Sequence, residues 1–163
     1  MLVESLVDEL AEKLIERSLT LVTAESCTGG WVGQSLTGLS GSSRWFAGGV
    51  ISYSDSLKHN LLGVRLETLV TYGAVSKPVA CAMATGAIEH LGGDVALAVT
   101  GIAGPSGAVA SKPVGTVWIA FASMVTVSAK YFQFSGNREA IRYQSVVAAL
   151  EGMLDFVREH ETL

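Results

Sequence analysis

The chain has 163 residues, the length of one ordinary domain able to bury most of its apolar surface around a single core, and residues 1–163 are read as one domain. Hydrophobic residues make up 49% of it and charged ones 16%, which excludes disorder and suggests a sheet covered on both faces or a buried subunit contact, so a homo-oligomer is expected. A net charge of −4, with the eleven Lys and Arg scattered along the chain, leaves no electrostatic footprint for nucleic acid and favours a small ligand.

Val3, Leu6, Val7, Leu10 and Leu14 recur at helical spacing while Glu4, Asp8, Glu12 and Lys13 face elsewhere, so an amphipathic helix is expected first. Met1 to Arg17 alternates acids with leucines and does not read as a signal peptide. Leu21-Val22-Thr23-Ala24 reads as a short strand, and Trp31 to Leu39 as a helix ended by Ser40-Gly41-Ser42-Ser43. Val50 to Tyr53 is a second strand candidate, with Ser54 to Leu61 turning helical after it. Ser76-Lys77-Pro78 is a helix-start signal, the alanine-rich stretch to Leu91 continues it, and Gly92-Gly93 stops it. Val95 to Val99 is apolar without alternation, as a strand buried on both faces would be. Val114 to Ala122 and Val125 to Phe134 form an expected antiparallel hairpin, and a last helix begins near Asn137. The fold class expected is α/β, a mixed β-sheet with helices on both faces. The apolar run from Val114 is about ten residues, well short of the roughly 20 that a membrane span requires. Cys27 and Cys81 are too few for a disulfide framework and suit a reducing cytoplasm.

Three polar islands interrupt this pattern, each where an expected strand ends, and ligands of α/β proteins bind there. Thr23 to Gly30 places Ser26 and Thr28 beside the free N–H groups of the following helix, an arrangement suited to an oxyanion hole or to a plain helix cap. Tyr53-Ser54-Asp55-Ser56-Leu57-Lys58 sets a phenol and an amine five residues apart. Lys58 is a general base only if burial or a nearby cation makes it neutral; on an exposed helix it is solubilising charge. Thr100-Gly101-Ile102-Ala103-Gly104-Pro105, followed by Lys112 to Thr116, gives glycines that either let backbone amides approach an anion or mark an ordinary turn. It matches neither the dinucleotide fingerprint nor the Walker loop. His59, His90 and His160 lack ligand spacing, so no metal is expected. Glu25 and Asp55 read as a carboxylate pair or as turn caps, and Arg138 and Arg142, four apart, as a phosphate clamp or a solvated face.

Taken together, Thr23 to Gly30, Gly41-Ser42-Ser43, Tyr53-Ser54 with Lys58, Gly63-Val64, Gly73 to Ser76, Thr100 to Pro105 and Lys112 to Thr116 resemble the CinA C-terminal domain family in order. They span about two-thirds of the chain, which is similar to the family's single-domain form rather than to the longer members that carry an amino-terminal molybdopterin-binding-like domain. The resemblance implies hydrolysis of the carboxamide of nicotinamide mononucleotide to nicotinic acid mononucleotide and ammonia through a serine and a lysine; with the cysteines, charge and histidine spacing above, a cytoplasmic enzyme without cofactor, metal, nucleic-acid or membrane partner is expected. On it, Ser26 matches the nucleophile and Lys58 the base, with Tyr53 beside it; the mechanism expected from these residues has Lys58 act directly or through Tyr53 and the N–H groups of Thr28, Gly29 and Gly30 hold the oxyanion. Ser42, Ser43, Thr100, Gly101, Gly104 and Arg142 are the expected substrate-binding residues. The loop Ser106 to Ser111 departs from the family in being more apolar, which bears on substrate affinity. The alternative to an amidase is a non-catalytic nucleotide-binding or regulatory module; a structural assembly protein would leave the three islands without purpose.

Overall fold

The helical periodicity of the amino-terminal segment yields α1 (Leu2–Glu16), which buries Val7, Leu10, Ala11 and Leu14 on one stripe. The computed structural model describes residues 2–160. The remaining elements follow in order as β1 (Leu21–Glu25), α2 (Trp31–Thr37), a 3₁₀ turn (Ser42–Arg44), β2 (Phe46–Ile51), α3 (Asp55–Leu62), α4 (Leu66–Tyr72), α5 (Lys77–Leu91), β3 (Val95–Gly101), β4 (Thr116–Ser123), β5 (Val127–Gln133) and α6 (Arg138–Glu159). Among the described residues no helix is long and apolar enough to cross a membrane.

The five strands form one sheet in the order β2-β1-β3-β4-β5. β1 pairs parallel with β2 and β3, while β3–β4 and β4–β5 are antiparallel, the last two being the expected hairpin. One face carries Leu21, Leu97, Val99, Ile119 and Phe121 against α1, α2 and α6. The other carries Val22 and small residues, Ala24, Ala96, Ala98, Ala120 and Ala122, against α5. The mixed sheet with helices on both faces is thus the expected fold class. Each buried Leu, Val, Ile or Phe contributes roughly 1.5–3 kcal/mol, so both layers are held mainly by apolar burial.

Two expectations need correction. The second strand is Phe46–Ile51, not Val50 to Tyr53. Gly48 and Gly49 lie inside it, and at Gly49 this edge strand presses on β1: a Cβ there would lie 1.9 Å from Thr23 Oγ1. Leu66–Tyr72 forms a helix that was not expected; it is seven residues long and buries only Leu69, so its periodicity is weak. Close approach matters once more at Gly86, where a Cβ would meet the Leu62 carbonyl oxygen at 1.8 Å, so a glycine lets α3 lie against α5.

The chain leaves β1 toward β2 on one side and returns to β3 on the other. That reversal opens a crevice at the carboxyl ends of β1 and β3, with the end of β2 beside it.

Candidate active site

Ser26 follows the last residue of β1 and stays in the sheet, its N–H donating to the Val99 carbonyl at 3.0 Å. The chain then turns, with Gly29 N–H donating to the Ser26 carbonyl at 3.0 Å and Gly29 and Gly30 at φ 61° and 93°, conformations that favour glycine. The amino terminus of α2 is closed from within. The Glu25 carboxylate accepts the N–H groups of Gly30 at 3.1 Å, Val32 at 3.0 Å and Gly33 at 2.8 Å. The expectation that Gly29 and Gly30 N–H groups are free to hold an oxyanion is therefore corrected: both are already spent on internal acceptors.

Lys58 sits in the first turn of α3, which Ser54 caps by accepting the Leu57 N–H. The side chain points inward and is 1% exposed. Its Nζ donates to the carbonyls of Ser52 at 2.9 Å and Tyr53 at 3.3 Å and lies 3.2 Å from Ser26 Oγ. Burial pushes the amine below the ordinary lysine range, while the Asp55 carboxylate opposes the shift in part. A neutral amine that directs two N–H groups at two carbonyls keeps its lone pair for the Ser26 O–H, whereas an ammonium donates at all three positions. Burial pushes the neighbouring Cys27 thiol up to about 12, which leaves it an inert apolar neighbour rather than a rival nucleophile.

These groups form the floor of a cavity of about 290 Å³ whose walls include Tyr53, Thr100 to Gly104, Ser106, Gly107 and Arg138. A larger groove of about 580 Å³ around Trp31 and Tyr143 contains neither Ser26 nor Lys58. Thr100 and Gly101 end β3 as expected; the Thr100 hydroxyl donates to the Ala74 carbonyl at 2.9 Å and so fixes one wall. Gly101 has room for no side chain, since a Cβ would lie 2.7 Å from Val117 and 3.2 Å from Cys27 Sγ. Gly104, at φ 75°, faces Val114 in the same way.

Tyr53 lines the cavity as expected: its phenol is exposed at the mouth and accepts from Arg138 Nη2 at 3.2 Å, and its carbonyl holds Lys58. Two further expectations are corrected. Ser42 and Ser43 lie in the 3₁₀ turn that enters β2, whose first residue pairs with Leu21 at the opposite end of the sheet. A strand of that length separates them from Ser26 by roughly 15 Å, so within one chain they do not reach the cavity. Arg142 is not in the cavity either: its Nε and Nη2 donate to the carbonyls of Cys27 at 3.0 Å and Thr28 at 2.9 Å, and its guanidinium stacks over Trp31. It braces the turn after Ser26 from behind. The cavity arginine is Arg138, whose Nη1 donates to the Gly104 carbonyl at 2.8 Å. The sequence placed both arginines on one helix, and the expectation of Arg142 rather than Arg138 at the substrate is the one corrected. Thr28 is fully buried with no partner for its hydroxyl, and Ser52, missed in the sequence, is equally buried and lends Lys58 its carbonyl.

The family model described as the CinA C-terminal domain matches residues 3–157. The chain is 46% identical over 147 residues to nicotinamide-nucleotide amidohydrolase PncC of Shigella flexneri, covering 90% of this chain and 89% of that protein. It is also 46% identical over 149 residues to a CinA-like protein of Geobacter sulfurreducens, covering 91% of this chain and 36% of that longer protein. Among solved structures, a competence-damaged protein (CinA) superfamily protein from Klebsiella pneumoniae superimposes with a TM-score of 0.93 at 35% identity, covering 96% of this chain and 98% of that one. The chain belongs to the CinA C-terminal domain family.

Proposed function

From that membership and that geometry we propose that the protein hydrolyses the carboxamide of nicotinamide mononucleotide to nicotinic acid mononucleotide and ammonia, with Ser26 as nucleophile and Lys58 as base. The observation that carries the reading is the buried Lys58 amine, 3.2 Å from Ser26 Oγ with two carbonyls to take its own protons. Neutral Lys58 takes the Ser26 proton as Oγ bonds to the carboxamide carbon, and the resulting ammonium gives that proton to the departing nitrogen. Ammonia leaves, and water activated by the same amine hydrolyses the nicotinoyl ester and restores Ser26. The oxyanion donors are the N–H groups of Cys27 and Thr28, which follow the nucleophile on its turn, with Gly29 and Gly30 engaged elsewhere.

The phosphate end of the nucleotide is assigned to Arg138 and the backbone of Gly101 to Gly104, the cationic and glycine-lined side of the cavity. Exposed Leu66, Val70 and Tyr72 on α4 support the expected association of copies, which sedimentation velocity tests. The non-catalytic alternative draws on the apolar loop tip alone, where Val109 is exposed, and does not use the Ser26–Lys58 contact.

The test is to incubate the purified protein with nicotinamide mononucleotide and a chelator and to measure ammonia and nicotinic acid mononucleotide. Wild type is expected to release both and Ser26→Ala neither. A folded Ser26→Ala protein that keeps most of its turnover sinks the assignment, and binding without ammonia release moves the reading to the non-catalytic module.

A further inference from the structure

Glu25 is a carboxylate at the end of a buried strand, 2% exposed, where an unsatisfied charge would be costly. It is satisfied entirely by main chain: Oε2 accepts from Gly30 and Val32, and Oε1 from Gly33. These bonds stand in for a cap that the sequence omits. The residue before α2 is Gly30, which has no side chain to offer, and a seven-residue helix is marginal without support at its amino terminus. The Glu25 backbone reaches the other arm of the site. Its carbonyl accepts the Ser52 N–H at 2.8 Å, and the Ser52 carbonyl in turn accepts from Lys58 Nζ at 2.9 Å.

We propose that Glu25 is a positioning residue that sets the spacing between Ser26 and Lys58, holding the far side of the nucleophile turn through its carboxylate and the lysine-bearing segment through its carbonyl. The proposal rests on the reading of Ser26 and Lys58 as the catalytic pair. Ser26 is covalently next to Glu25 and shares its strand end, so a shift of the turn moves Oγ directly. The requirement is for an acceptor at both side-chain oxygens. A glutamine of the same shape must turn an NH₂ group toward at least one backbone N–H, replacing a bond by a donor–donor contact.

The experiment compares wild type with Glu25→Gln in steady-state deamidation and in the rate at which a fluorophosphonate probe phosphonylates Ser26 with loss of fluoride, both well below the unfolding temperature. Glu25→Gln is expected to lower kcat about tenfold or more with KM within about threefold, because a displacement well under 1 Å at a reacting atom is felt in the rate. Probe labelling falls in parallel. A purely structural role would lower the melting temperature and leave both readouts in place; kcat and labelling within twofold of wild type in the folded variant overturn the proposal. Should Glu25→Gln fail to fold, Glu25→Asp carries the test, since it keeps the charge and the acceptors but is one methylene too short to reach all three N–H groups. It is expected to slow labelling about threefold, and unchanged labelling overturns the proposal equally. Wild type that labels at Ser26 but releases no ammonia means the substrate is wrong while the labelling ratio still decides on Glu25; wild type that does not label sinks the catalytic pair and this proposal with it.

Discussion

At the floor of the cavity Ser26 and Lys58 are 7% and 1% exposed, Ser26 bonded through its N–H to the Val99 carbonyl of β3 and Lys58 through its Nζ to the Ser52 carbonyl just after β2, whereas at its mouth Tyr53 is 59% exposed and Ser106 and Gly107 stand on a surface loop. The floor is held by rigid elements packed on both sides, and the mouth by one arginine and a turn. Chemistry needs fixed distances and a dry environment, while recognition tolerates adjustment, so the two regions are expected to answer substitution differently. Changes at the floor move kcat, and changes at the mouth move KM.

Lys58→Met breaks this division most sharply. It keeps an apolar chain of similar length in a buried position and removes the base, so kcat is expected to fall on the order of a thousandfold or more with substrate binding retained. The Ser52 and Tyr53 carbonyls lose a donor, which costs about 1–3 kcal/mol of stability by thermal unfolding. A kcat within tenfold of wild type would remove Lys58 from the chemistry and with it the distinction between floor and mouth.

The pH profile probes the same amine without substitution. Burial lowers the Lys58 pKa in the folded protein, so kcat/KM is expected to rise with pH, up to tenfold per unit, and to level off below the ordinary lysine value of about 10.4. The sign for stability follows from proton counting. Between the lowered folded value and the ordinary one the unfolded chain binds more protons, so stability rises with pH across that window, changes no further above it, and is lost again as pH falls to the folded value. Lys58→Met should flatten both curves over that range; a rate that declines steadily through it would mean that the ammonium, not the amine, is the working form.

How much of this was legible in the sequence follows the same division. The alternation of elements, the hairpin and the buried run Val95 to Val99 were readable because burial on two faces leaves a continuous apolar signature. Ser26 and Lys58 were readable as islands at strand ends, but their contact spans 32 positions and depends on Gly86 admitting α3 against α5, which no local pattern records. The start of β2 was hidden by Gly48-Gly49, where glycine serves close packing rather than a turn. Glu25 was recognised as a possible cap, yet a cap acting from five positions before Gly30 lies outside the usual spacing, so the helix end it fills was read as open. Arg138 and Arg142 differ by one helical turn, and only the tertiary position of α6 sends one into the cavity and the other behind the nucleophile turn.

Arg138 is the mouth residue with most to lose. Its guanidinium is the cationic group on the cavity wall and holds the Gly104 carbonyl and the Tyr53 phenol. Arg138→Ala is expected to raise KM for the nucleotide about tenfold, the worth of one charge-assisted hydrogen bond, with kcat changed far less. Nicotinamide riboside, which lacks the phosphate, should be a poor substrate for wild type and be affected little further by the substitution. Equal losses on nucleotide and nucleoside would take Arg138 out of phosphate recognition and assign it to shaping the loop.

The smallest effect is expected at the exposed tip of the loop that follows Gly107. Ser106 and Gly107 line the cavity, but Ala108, Val109 and Ala110 continue past it into an exposed tip that closes on itself through the Val109–Lys112 bridge. Lys112 then anchors the far limb of the loop by donating to the Tyr72 carbonyl at 2.6 Å. The limbs of the loop are therefore fixed by backbone pairing and by Lys112, and the side chains at the tip have nothing to hold. Replacing Val109 by Asp exchanges an exposed apolar group for an exposed charge, which at the surface is within about 0.5 kcal/mol of neutral and changes KM by less than about threefold. A tenfold rise in KM with unchanged kcat would mean that the tip folds over bound substrate, and the boundary between recognition and surface would have to be moved outward to include it.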